Sequence, residues 1–254
     1  MNILQELERF NDVYFREEDH SYHYGKTVFT SATTHIKRFQ EPFNEIYWAK
    51  YKQLQANGVH VKSHSSRGIP QDHIAYDGKI LHYEDIHIDI FDILSKWKAK
   101  SDTALANGKQ VHADFEKAWF RKLSGNKLID SFVKENKHLI PIRMEYIVAD
   151  YDAKIAGQLD GLFFNKESND IELIDYKTDE EIKYSNRFTT FLPPLEFLSD
   201  CNFNKYTLQL NFYKHCIEKY TSIRIARMYI LNIRPNTISR IDIPDCPDLI
   251  KLIL

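Results

Sequence analysis

The stretch Ile155–Thr178, IAGQLDGLFFNKESNDIELIDYKT, constrains the fold more than any other part of the chain. Its apolar residues fall in two runs, separated by Asn165–Asp170, a polar sextet of Asn, Lys, Glu, Ser, Asn and Asp. Such a sextet turns the chain, so the stretch reads as strand, turn and strand, the second strand being Ile171–Lys177. Successive strand side chains alternate between faces, so Asp175 and Lys177 project together. A hairpin of this length brings Asp160 beside Asp175. Two carboxylates and one ammonium then share one spot on rigid strands. Mg²⁺ takes oxygen ligands, commonly one or two carboxylates together with substrate phosphate. A metal held there can generate a hydroxide and clamp a phosphate. The adjacent lysine can orient water or offset charge on the phosphate. These residues point to phosphodiester hydrolysis with Mg²⁺ or Mn²⁺ on Asp160 and Asp175, and Lys177 positioning the nucleophile.

Composition narrows the class. A chain of 254 residues with 43% hydrophobic residues can bury a substantial core. It reads as a single domain, 1–254, with residues 1–100 as an N-terminal elaboration and 101–254 as the catalytic core. No apolar run approaches the ~20 residues of a membrane span, and the charged start MNILQELERFND has no signal-like apolar segment. A soluble, cytoplasmic protein without membrane partners is expected. Cys201, Cys216 and Cys246 form no CxxC pair, so no disulfide framework is expected. Three thiols also fall short of the four that an iron–sulfur cluster takes. The net charge of −2 runs against nucleic-acid binding, for which a basic footprint is usual, unless the cations are local. Lys96, Lys98, Lys100, Lys109, Lys117, Arg121, Lys122, Lys183 and Arg187 could form such a patch or be ordinary solvated residues.

The motifs resemble a known family. Gly157-Gln158-Leu159-Asp160, fourteen residues, then Asp175-Tyr176-Lys177 is similar to the PD-(D/E)XK nuclease core. The Asp-Tyr-Lys-Thr ending resembles its RecB-type branch, which includes phage exonucleases and mitochondrial genome maintenance exonucleases. Upstream, Gly108-Lys109-Gln110-Val111-His112-Ala113-Asp114-Phe115-Glu116 resembles that family's Gly-x-x-x-His-x-x-x-Glu helix. Downstream, Gln209-Leu210-Asn211-Phe212-Tyr213 resembles its Gln-x-x-x-Tyr helix. The four pieces stand in the family's order between Gly108 and Tyr213.

The resemblance implies an α/β fold, a restriction-endonuclease-like core with a mixed central sheet flanked by helices, carrying an N-terminal hairpin and helical elaboration. It implies a Mg²⁺- or Mn²⁺-dependent deoxyribonuclease. His112 becomes a third metal ligand beside Asp160 and Asp175, and Glu145 supports the metal from a second layer. Glu116 either does the same or is plain surface. Gln209 and Tyr213 position DNA, Tyr213 by stacking on a base, or else pack their helix. Within the family the resemblance favours an exonuclease on single-stranded or frayed DNA ends, of phage type. A DNA endonuclease and a non-catalytic DNA-binding subunit are the alternatives.

The remaining segments give coarser expectations. Residues 1–10 suggest a short helix and Val13–Thr30 a hairpin. Ser31 to Thr34 suit a helix N-cap and, at a helix start, a phosphate. A helix is expected over Glu41–Gln55, then a polar stretch over Val59–Gly78 with a mobile loop at its least structured part, Ser63–Pro70. The alternation of Ile86, Ile88 and Ile90 with Asp85, His87 and Asp89 reads as an amphipathic segment rather than a metal site. Ser95–Leu123 reads as helical with a break at Gly108, Lys127–His138 as a helix, and Ile142–Ala149 as a strand. A long loop over residues 179–203, a helix over Asn204–Tyr220, and strands over Ile223–Arg234 and Thr237–Ile243 complete the chain.

Overall fold

A computed structural model describes residues 3–19 and 21–254. The chain forms two compact units, one of residues 1–41 with 108–254 and the other of residues 42–107. The first segments are a helix α1 (Ile3–Leu7), strands β1 (Val13–Arg16), β2 (Ser21–Tyr24) and β3 (Thr27–Ser31), and helix α2 (Ala32–Lys37). The Ser31 hydroxyl accepts from the Thr34 amide at 3.1 Å, so the expected cap is present and starts the helix four residues before Ile36. Residues 42–107 hold α3 (Glu45–Ala56), β4 (Val61–Lys62), β5 (His73–Tyr76) and β6 (Lys79–His82). Residues 63–72 form a connection without strands, flanked by β4 and β5, which with β6 make a three-stranded antiparallel sheet closed on a small core of Tyr47, Leu54, Val61, Ile74 and Ile86. Tyr47 ties it together, its hydroxyl donating to the His73 carbonyl and accepting from the His64 amide, both at 2.9 Å. The polar composition of this stretch hid strands of two to four residues.

Helix α4 (Phe91–Trp119) follows without interruption at Gly108. After it come α5 (Lys127–Glu135), β7 (Leu139–Asp150), β8 (Ile155–Asn165), β9 (Asp170–Lys177), α6 (Asn202–Tyr220), β10 (Ile225–Arg234), β11 (Thr237–Ile243) and α7 (Pro247–Ile253). The last of these has no counterpart in the sequence expectations. No helix among the described residues is long and apolar enough to cross a membrane.

The main unit is α/β, with a mixed eight-stranded sheet ordered β1-β2-β3-β8-β9-β10-β11 and β7 paired to β8. Strands β1, β2 and β3 therefore belong to the central sheet, because β3 joins β8 in parallel through Thr30↔Ile155 and Ser31↔Ala156. The β8–β9 turn forms because the Asn165 side chain accepts from the Glu167 and Ser168 amides at 2.9 and 3.3 Å, and Asn169 takes the left-handed conformation, φ +59°, that asparagine tolerates. Along β10 the residues divide by parity. Met228 and Ile230 join the core beneath α6, whereas Tyr229, Leu231 and Ile233 join that beneath α4 and α5. Burial on both faces is what permits the parallel β9–β10 pair. Each fully buried aliphatic side chain contributes about 1.5–3 kcal/mol.

Asp150, fully buried at the end of β7, fastens the β7–β8 turn to α6. It accepts from the Asp152 and Ala153 amides at 3.0 Å each, from His215 Nε2 at 2.8 Å, and from Lys219 Nζ at 3.0 Å. Burial raises its pKa, but the Ala153, Lys219 and His215 hydrogen bonds outweigh burial and hold it at about 2. An ordinary aspartate titrates near ~3.9. The folded value is the depressed one, so the stabilisation is complete above about pH 4 and is lost as pH falls towards 2. Asp150→Ala should lower unfolding free energy at pH 7 by about 2–3 kcal/mol. Urea unfolding should also show a gap between wild type and variant that narrows from pH 4 to pH 2. A gap that stays constant with pH would remove the carboxylate from this role.

Candidate metal centre

The site lies where β8 changes partners. One edge of β8 pairs with β7 along nearly its whole length. The other edge pairs with β3 at residues 155 and 156 and with β9 from Gly161 to Asn165. Gly157, Gln158, Leu159 and Asp160 lie between these two ladders, paired on that edge with neither. The sheet forks there, and side chains enter the fork.

Gly157 is needed because of what enters. A Cβ on it would stand 2.6 Å from Tyr213 Cε1 and 3.2 Å from Ala32 Cβ, closer than packed carbon atoms approach. The Tyr213 ring, only 2% exposed, fills the space over Gly157, and Gln209 Nε2 donates to its hydroxyl at 2.8 Å. This corrects the expectation for Tyr213: a ring buried against backbone has no free face for a base. Gln209 is occupied in holding that ring.

Asp160 stands one residue beyond the last β8–β9 pair, Gly161↔Ile174, as does Asp175 on the other strand. The Tyr176 amide, with no ladder carbonyl opposite, donates to Asp160 Oδ2 at 2.5 Å. Tyr176 itself points the other way. It stacks on Phe115 of α4 at 4.0 Å between centroids and accepts from Trp119 Nε1 at 3.0 Å. These contacts set the height of α4 against the sheet and bring His112, one turn before Phe115, to the fork.

His112 Nδ1 donates to Glu145 Oε1 at 3.1 Å and lies 3.5 Å from Asp160 Oδ1. His112, Glu145 and Asp160 each offer a ligand atom within 4.8 Å of one another. Glu145, expected in a second layer, is thus a direct member of the cluster. On β7 it falls between Met144↔Gly161 and Tyr146↔Leu159, opposite Asp160. Its φ is +47°, a left-handed conformation that costs a non-glycine residue of order 1–3 kcal/mol. Such a kink re-aims a strand side chain, and no composition signal announces it. Gln158 Nε2 holds the second oxygen, Oε2, at 2.6 Å. Glu116, by contrast, is exposed on α4, so the i+4 spacing from His112 does not carry it to the cluster.

Asp175 is 1% exposed. Its Oδ2 is ion-paired to Lys177 Nζ, while Oδ1 has no hydrogen-bond partner. Lys177 lies 4.8 Å over the Tyr206 ring. Burial lowers its pKa, but the charges of Asp175 and Asp160 outweigh burial and keep it raised, so it remains an ammonium. Asn232, on β10 in register with Lys177, is fully buried with neither side-chain polar atom partnered. A lone asparagine within the apolar run Met228–Ile233 was the available signal for it. Tyr206 had none beyond its place on α6.

The electrostatics are those of crowded carboxylates. Burial and the Asp175 charge raise the Asp160 pKa. Burial disfavours the His112 imidazolium, but the Glu145 hydrogen bond and the charges of Asp160, Glu145 and Asp175 overcome this and raise it to about 9. The imidazolium proton thus occupies the centre of an anionic cluster. A divalent cation suits the same position. The donors that lie together are two carboxylates and one imidazole, and a buried carboxylate oxygen without a partner, as on Asp175 nearby, is costly unless a cation or donor meets it.

No family model matches the chain, and no curated protein matches it. The solved structure of SSO0001 aligns with it at 17% identity and a TM-score of 0.27, covering 49% of this chain and 50% of that one. So low a likeness says nothing of fold or function.

Metal binding at this cluster must displace the His112 proton. Mn²⁺ affinity, followed by calorimetry, should therefore climb from pH 6 towards pH 9, by up to about tenfold per unit for each proton released. Glu145→Gln should weaken Mn²⁺ by about 10–100-fold, and Glu116→Gln should leave it unchanged. Equal effects of the two substitutions would contradict the arrangement.

Proposed function

We propose that this protein is a metal-dependent DNA nuclease with a PD-(D/E)XK-type core of the RecB-like branch, acting as an exonuclease on single-stranded or frayed DNA ends. A role in phage-type DNA processing is part of the same reading. The observation that carries it is the convergence of His112, Glu145 and Asp160 at the fork, beside a buried Asp175–Lys177 ion pair. Carboxylates of this density are expensive to bury unless cations meet them, and such a cluster concentrates positive charge at one point.

Glu145, Asp160, Asp175 and deprotonated His112 are the residues that would hold Mg²⁺ or Mn²⁺. A bound ion of this kind supplies a water of lowered pKa and a clamp on phosphate oxygens. The rest of the chemistry falls to side chains. Lys177, kept protonated by its two carboxylate neighbours, offsets negative charge that develops on the phosphoryl oxygens. Tyr206 limits the ammonium's movement from above. Gln158 fixes the Glu145 carboxylate. The Tyr213 ring holds the fork open against Gly157, a positioning role in place of base stacking.

Lys177→Met keeps the apolar stem and removes the charge. Single-turnover cleavage of linear single-stranded DNA should fall by about 10²–10³, with Mn²⁺ affinity little changed. Wild-type cleavage should stop in excess EDTA, and a closed circle of the same sequence should survive. Equal rates on circle and line would favour the endonuclease reading, and cleavage that persists in EDTA would overturn the proposal.

A further inference from the structure

A groove of about 720 Å³ lies beside the C-terminal end of α4, lined by Arg121, Lys122, Lys134, Lys137 and Lys166, with Asp130 as the acid in its wall. All five cations are exposed. The ion pairs found among the described residues include none of the five. Asp130 is already engaged, accepting from the Ser124 amide at 3.1 Å. In a chain of net charge −2, five unpaired cations on one groove are a local reversal of sign. Their mutual repulsion is a standing cost that a polyanion would relieve.

Helix ends explain part of this placement. Cations are favoured at helix C-termini, which suits Arg121 and Lys122 after α4 and Lys134 and Lys137 at the end of α5. They do not explain Lys166, which comes from the β8–β9 turn. Nor do they explain the conformation of Arg121. The Lys122 amide donates to the Lys117 carbonyl and the Arg121 amide to the Ala118 carbonyl, both at 3.0 Å. That pattern closes a helix with a left-handed residue, usually glycine, and here Arg121 holds φ +60°. An arginine stands where a glycine would be less strained.

The groove is also apolar. Leu123, 88% exposed, and Ile140, 36% exposed, present apolar surface in its wall, above the buried Trp119 and Leu139. Exposed apolar surface among unpaired cations fits a ligand with charged and flat apolar parts. We propose that this groove binds the backbone of single-stranded nucleic acid, phosphates on the five cations and an unstacked base on the apolar wall. A duplex keeps its bases stacked and would meet only the charges. The location agrees: Trp119 follows His112 by two turns of α4, about 10 Å, so groove and metal centre lie close along one helix. The choice of occupant rests on the nuclease reading above, whereas the groove and its charge do not.

The test is fluorescence anisotropy with labelled oligothymidine in EDTA, where no cleavage competes. Lys134→Glu/Lys137→Glu changes two exposed positions and should spare the fold, which circular dichroism and thermal melting check. Each phosphate contact on a single strand contributes a salt slope of roughly 0.7. The double variant should bind at least about tenfold more weakly, with the slope of log affinity against log salt reduced by about 1.4. Lys134→Arg/Lys137→Arg should restore both. Duplex of the same length should bind more weakly and distinguish the variants less. Unchanged affinity and slope in the Glu variant would overturn the proposal. So would inorganic triphosphate that binds as tightly as the oligonucleotide, which would mark a small-anion site. The two readings fail separately. Oligothymidine binding lost in the variant of a protein that does not cut with Mg²⁺ keeps the groove and removes the nuclease. Cutting that continues with unchanged binding in the variant keeps the nuclease and removes the groove.

Discussion

A strand has two edges, and β8 gives one of them wholly to β7. The other must serve both β3 and β9, and the four residues between those ladders belong to neither. Most features of the candidate site depend on that division. The unpaired stretch gives Asp160 a backbone amide to accept from, at Tyr176. It also leaves a recess over Gly157 into which α6 delivers the Tyr213 ring. A continuous ladder would satisfy its amides internally and leave no place for either.

Charge follows from the same opening. Asp160 and Asp175 are almost fully buried, where a lone charge is costly. Lys177 supplies one partner and the His112 imidazolium another. The two pairs are distinct in kind. Lys177 is an obligate cation in this field, whereas the His112 proton can be exchanged for another cation.

The aromatic side chains divide between the faces of the sheet. Tyr176, Phe115 and Trp119 set α4 on one face, and that packing carries His112 to the fork. Tyr213 and Tyr206 come from α6, the first packed on Gly157 and the second covering Lys177. The side chains of the candidate site thus sit on helices and strands fixed by aromatic contacts, the kind of support that a preorganised site needs.

Asp160, Asp175 and Lys177 were legible from strand alternation alone, because period-two geometry is local and the Asn-rich turn is unambiguous. The N-cap at Ser31, the strands of the main sheet from β7 onward and helix α6 were legible for the same reason: each rests on interactions within a few residues. Glu145's place in the cluster was not, since it depends on a left-handed kink and on register with a strand fifteen residues away. Tyr213's burial and Asn232's place beside Lys177 depend on which strands flank β8 and β9. Glu116 shows the converse, a residue at the right helical spacing whose helix rotation, set by Phe115 and Trp119 packing, turns it to solvent. The sequence by itself determined the hairpin and which of its residues share a face. Only the tertiary structure decided where the sheet forks, and therefore which side chains meet there, because edge sharing in a sheet is a property of partners remote in sequence.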